Sequence, residues 1–133
     1  QNDVSGRLQD IFKILDDAKK TPAVLNIDAI LPKGPSELGI FKSILWKMPK
    51  SVETFSLKFN TLSAEAEEYF MEWLQKNDTL KTLYIMGSNL GMDEKKRDHV
   101  YNVWTKNFEI HKQENNGCTL MRRNMDPEEM EED

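Results

Sequence analysis

The chain is poor in cysteine and histidine, it lacks long apolar runs, and its body carries almost no net charge. One cysteine, Cys118, among 133 residues excludes an internal disulfide framework and a cysteine-built zinc site, and it suits a reducing compartment. A lone thiol of this kind reads as a small apolar side chain packed in a core. The two histidines, His99 and His111, stand twelve positions apart with no HxxxH or HExxH pairing, so they offer no metal-ligand set. No stretch approaches the roughly eighteen apolar residues that a membrane-spanning helix needs. The opening "QNDVSGRLQD" has neither a basic start nor an apolar signal core. Its first residue, Gln1, is consistent with a removed transit segment or a longer parent chain. Phosphate-loop spacing is missing as well, since "PKGPSELG" lacks the required glycines and the Lys-Ser/Thr ending. The expectation is therefore no catalytic residue, no cofactor, no metal and no membrane insertion.

The formal charge of −5 comes from one end of the sequence. "DPEEMEED" at 126–133 holds six of the 23 acidic residues, and the remaining 17 face 18 lysines and arginines. This is a nearly neutral body with an acidic tail, 125–133, solvated unless a partner orders it. Two basic clusters, 95–97 and 122–123, are the only feature suited to RNA, and a neutral body makes nucleic acid an unfavourable partner. Glu65, Glu67, Glu68 and Glu72 lie on one polar helical face, where solvation is their ordinary role. The sequon-like Asn77-Asp78-Thr79 matters only in a secreted protein.

With 38% apolar residues the chain is long enough to bury one real core. Leu8, Ile11, Phe12, Leu15 and Ala18 recur at helical spacing, which predicts a helix over 5–20 with Ser5 or Asp3 as its cap. Leu25 and Ile27 alternate with polar neighbours as in a strand. Ile40, Phe41, Ile44, Leu45 and Met48 predict a helix from Ser36 to Lys47, stopped by Pro49. A strand is expected over 52–59 and a helix over 64–76 behind the N-cap Ser63. A second such strand covers 80–86, and a weaker helix with Val100, Val103 and Trp104 covers about 94–106. Two alternating runs around Asn116-Gly117 predict a hairpin over 108–123.

Strand and helix thus alternate three times, and the letters repeat with them. Val52, Phe55, Leu57, Asn60 and Leu62 match Leu80, Leu83, Ile85, Ser88 and Leu90 at a constant offset of 28. Phe41, Ile44 and Leu45 return as Phe70, Trp73 and Leu74, then as Val100, Val103 and Trp104, at offsets of 29 and 30. A single strand and helix cannot bury their apolar faces, whereas a copy stacked alongside buries both and pairs the strand's free backbone groups. The expected fold is α/β: parallel strands in one sheet, an N-terminal capping helix and a C-terminal β-hairpin closing the two ends.

The pattern L-x-x-L-x-L-x-x-N-x-L followed by a helix ending in "LQKNDTL" resembles the leucine-rich repeat of the ribonuclease-inhibitor-like class. The resemblance covers about Val24 to Ile110 and is best in the units beginning at Val52 and Leu80. It implies a short solenoid of about three strand-helix units, repeats about 24–107 within a domain 1–124, with the strands on a concave face. It also makes Asn60 the residue whose side chain satisfies backbone groups in the bend after its strand, a task Ser88 does less completely with Asn89 beside it. The first unit, "VLNIDAILPKGP", lacks the asparagine. A short array closed by a hairpin is similar, too, to the actin-capping domain of tropomodulin-like proteins.

Function is then expected on surfaces. Asn26, Asp28, Thr54, Ser56, Lys58, Thr82, Tyr84 and Met86 point out of the sheet, with Glu109 and His111 beyond them. Ser56, Lys58, Thr82, Tyr84 and Met86 are the candidate partner-binding residues, because an exposed aromatic and a flexible thioether are common interface anchors. The expected role is a non-enzymatic scaffold that docks other protein subunits in an intracellular assembly, cytoplasmic or cytoskeletal, or in an organellar matrix if a transit segment is removed. An RNA-associated subunit using 95–97 and 122–123 is the alternative.

Overall fold

The computed structural model describes residues 2–105 and 110–122, and of residues 2–5, 110–114 and 122 the backbone alone. The first helix, α1, runs Asn2–Leu15, earlier at both ends than the 5–20 expected. Asp3 and Ser5, the expected caps, lie inside these bounds, and their side chains are outside the described residues. It ends early because the Asp17 amide bonds Ile14 O at 3.2 Å, a three-residue step that tightens the last turn, and the Asp17 carboxylate then accepts the Lys19 amide at 2.9 Å. Ala18 is consequently exposed, while Ile11 enters the core.

The next helix and the one after it keep the expected bounds, and their ends have local causes. Helix α2, Ser36–Lys47, follows the αR residue Pro35 and stops where Met48 turns extended ahead of Pro49. Helix α3, Ala64–Lys76, starts where Ser63 Oγ accepts the Ala66 amide at 3.1 Å. Glu37, buried in the first turn of α2, accepts the Ser63 amide at 3.3 Å and so ties one helix start to the next. After β3 the chain makes a short helix, α4 (Asn89–Met92), before α5 (Glu94–Thr105). The sequence pattern shows a turn at α4.

Three short strands, β1 (Val24–Asn26), β2 (Thr54–Ser56) and β3 (Thr82–Tyr84), pair in parallel with Leu25 beside Phe55 and Phe55 beside Leu83. The register between β2 and β3 equals the sequence offset of 28. The strands are shorter than expected, although single bonds continue beyond them: Leu57 N to Tyr84 O and Phe59 N to Met86 O, each 3.0 Å. Regular strand geometry stops because the chain then enters left-handed backbone at Ala29 (φ 52°), Phe59 (φ 62°) and Gly87 (φ 75°), each two positions past a buried Ile27, Leu57 or Ile85. Strands β4 (Ile110–Glu114) and β5 (Thr119–Arg122) form the hairpin, and the sheet order among the described residues is β1-β2-β3-β5-β4. The second hairpin strand, β5, pairs antiparallel with β3. The connection is a four-residue turn, Asn115 to Cys118, with positive φ at Asn115, Asn116 and Gly117.

Helices α1, α2, α3 and α5 pack in sequence beside one another on the sheet face that carries Leu25, Phe55, Leu83 and Leu120. The centre of this core is aromatic. Phe70 lies 6.0 Å from Phe41, 6.3 Å from Phe55 and 5.8 Å from Trp73, centroid to centroid. All nine repeat positions, Val52, Phe55, Leu57, Asn60, Leu62, Leu80, Leu83, Ile85 and Leu90, are buried. Among the described residues no helix is long and apolar enough to cross a membrane.

Candidate functional site

Strand alternation leaves one face of the sheet without helices, and its side chains stand in rows. Thr54 and Thr82 form one row, and Ser56, Tyr84 and Thr119 the next. Beyond the strand ends come Asp28, Lys58 and Met86.

The expected binding residues do not all reach solvent. Ser56 is buried, at 4% exposure, and its hydroxyl donates to Asp28 Oδ1 at 2.5 Å. That carboxylate oxygen also accepts the Lys58 amide at 2.9 Å, while Lys58 Nζ lies 3.8 Å from Asp28 Oδ2. Ser56 therefore serves as a strut and leaves the contact set. The Lys58 ammonium sits 5.6 Å from the Tyr84 ring centroid, a cation–π contact that settles the half-buried ring on the sheet. Thr82 is half-buried and Met86 is 37% exposed. Asp28, Ser56, Lys58 and Tyr84 thus make one chain of contacts across the ends of β1, β2 and β3. Asn26 turns its oxygen back to the Asp28 amide at 2.8 Å, which closes part of the free edge of β1.

Phe59 is a candidate contact residue that the sequence pattern missed. It is 58% exposed and holds left-handed backbone that costs a non-glycine residue about 1–2 kcal/mol. Its ring covers Gly87, where an added Cβ would stand 2.2 Å from Phe59 Cδ1. The only advance signal was Gly87 itself, the residue that leaves space for a ring. Phe59 and Met86, joined by the Phe59 N to Met86 O bond, both expose apolar side chains just past the ends of β2 and β3.

The basic cluster of α5 is largely occupied. Lys96 Nζ contacts Glu67 Oε2 at 2.8 Å, and Arg97 Nη1 donates to Gly91 O at 2.8 Å. Only Lys95 of the three is fully exposed. Its proposed companions, the Arg122 side chain and Arg123, lie outside the described residues, as do Glu109, the His111 side chain and the segment 125–133. Residue His99 is exposed, and among the described residues no group of His, Cys, Asp and Glu is placed to hold a metal. Cys118 is buried, its thiol 3.4 Å from Gly91 O.

No family model, no curated protein and no solved structure matches this chain.

Proposed function

We propose that the chain is a short leucine-rich-repeat-like array that docks another protein subunit across its open sheet face, without catalysis. The observation that carries this reading is the exposed pair Phe59 and Met86, set in a face whose polar groups are already braced by one another. An aromatic ring and a thioether left largely in water side by side are the kind of anchors a partner covers. Two features support the repeat architecture. One is the in-register parallel stacking of β1, β2 and β3, with the same left-handed position in each unit. The other is Asn60, whose side chain bonds backbone groups in the bend after its strand, as the resemblance implies, and reaches the preceding unit as well. In this reading repeats 24–107 belong to one domain, 1–124, with α1 at one end and the hairpin at the other, working inside the cell in a cytoplasmic or cytoskeletal assembly.

A crosslinking map from native extract identifies the subunit that touches this face. Phe59→Ala and Met86→Ala are each expected to weaken its capture by roughly tenfold or more, at about 1.4 kcal/mol per tenfold. Lys58→Glu weakens it further, whereas Lys13→Ala on α1 leaves it unchanged. Equal capture by all four variants rejects the open face as the docking surface.

A further inference from the structure

The opposite side of the molecule carries a second exposed aromatic feature. Between α2 and α3 lies a groove of about 270 Å³ whose walls include Leu45, Trp46, Pro49, Tyr69 and Trp73. Trp46 is 81% exposed, although a soluble helix ordinarily keeps tryptophan against its core. Phe55 and Phe70 hold the inner side of Trp73 at 6.0 and 5.8 Å, so the groove has a rigid aromatic floor. Its rim is basic. Lys42 Nζ lies 5.2 Å from the Tyr69 centroid, and Lys50 and Lys76 line the groove with no ion pair among the described residues. Glu72 and Asp78 are the carboxylates among the residues that line this groove and its neighbour.

The course of the chain indicates what lies there. Strand β5 runs antiparallel to β3 with Met121 opposite Thr82, so Arg122 stands at the end of the sheet where β3 begins. Thr79, three residues before Thr82, already lines the groove together with Lys76 and Asn77. Neighbouring strands stand about 4.8 Å apart, and eleven residues, 123–133, remain. At roughly 3.3–3.6 Å per residue they reach well past the full groove. Their sequence suits its walls: "MDPEEMEED" supplies six carboxylates for the lysines, two thioethers for the rings and a proline that favours extended backbone.

We propose that the acidic segment 125–133 docks in the Trp46–Trp73 groove of its own chain, with Met125 or Met130 against the rings and the carboxylates toward Lys42, Lys50 and Lys76. Three indole N–H groups report on this, because Trp104, fully buried in the core, serves as an internal control. In the full chain, the combined Glu128→Lys, Glu129→Lys, Glu131→Lys and Glu132→Lys variant should move the Trp46 and Trp73 indole cross-peaks in proton–nitrogen spectra and leave Trp104 in place. Salt at about 1 M, where the screening length falls to about 3 Å, should move the same two peaks in the unaltered chain. Carbodiimide coupling should join Lys50 or Lys76 to an acid of 126–133 within the monomer. Unmoved Trp46 and Trp73 peaks overturn the proposal. So does a shift that appears only as protein concentration rises, since that assigns the groove to the acidic segment of a second copy.

Discussion

The turns that follow β2 and β3 occupy equivalent places, yet they are held by different means. After β2, Asn60 Oδ1 accepts the amides of Ile30 and Leu31 at 3.0 and 2.9 Å, and its amide nitrogen donates to Ile27 O, Leu57 O and Lys58 O at 2.8–3.3 Å. One buried side chain thus satisfies backbone groups in two units at once. After β3, Ser88 donates to Ile85 O at 2.6 Å and caps α4 through Gly91 N at 3.3 Å, all within its own unit. A hydroxyl has one proton and a short reach, so the link to the preceding unit passes to Asn89, which exchanges bonds of 2.8 and 2.9 Å with Leu62. Asn89 also donates to Glu67, which in turn meets Lys96. The first turn is secured by one amide and the second by close packing plus a charged relay. The comparison shows that a repeat position specifies a task, bridging to the neighbour, more than a residue.

Removing each device should therefore cost different amounts. Asn60→Ala is the largest case. It strands the buried amide of Ile30, the part-buried amide of Leu31 and the buried carbonyls of Ile27 and Leu57, each buried group worth about 1–3 kcal/mol when unsatisfied, so a loss of about 3 kcal/mol is expected in urea unfolding monitored by tryptophan fluorescence. A loss below about 1 kcal/mol would show that the bridge is dispensable. Gly91→Ala attacks the other turn through packing. Its Cβ would stand 2.2 Å from Ile85 O, a backbone atom, and overpacking of this kind costs about 1–3 kcal/mol. An unchanged unfolding midpoint would mean that α4 can lift off the strand end without penalty.

Phe59→Gly sets two effects against each other. Glycine relieves left-handed backbone by about 1 kcal/mol but gives up the ring's cover of Gly87, so the variant should stay within about 1 kcal/mol of the unaltered chain while losing affinity for a partner on the open face. Lower stability together with retained capture would make Phe59 a packing residue. This site also marks where sequence reading stops. Stacking order and the pairing of Phe55 with Leu83 were legible because apolar period and offset repeat together, and Pro49 and Ser63 announced the ends of α2 and α3. Left-handed positions were not, since Ala29 and Phe59 carry no local preference for that backbone, and Gly87 alone hinted at it. Held in place by ladder bonds from Ala29 N to Lys58 O and Phe59 N to Met86 O, they follow from tertiary pairing. Ser56 stands in the expected row, but it is buried and bonded to a carboxylate of the neighbouring unit, which alternation within one strand cannot show.

The smallest effect lies at the outer end of the relay beside the β3 turn. The hydrogen bond to Glu67 raises the Lys96 pKa above its usual 10.5, against the opposing effect of partial burial and with further help from the charges of Glu67 and Asp93. A group bound more tightly to its proton in the folded state adds stability that is complete below 10.5 and disappears as pH climbs through the raised folded value. The Lys96 side chain is 41% exposed, so solvent and salt reduce the pair to a few tenths of a kcal/mol. Urea midpoints measured from neutral pH to well above 10.5 should fall more steeply for the unaltered chain than for Lys96→Met, because only the former has the Lys96–Glu67 bond to lose. Parallel curves would show that Glu67 is held by Asn89 alone, and that the second turn, like the first, depends on a single asparagine.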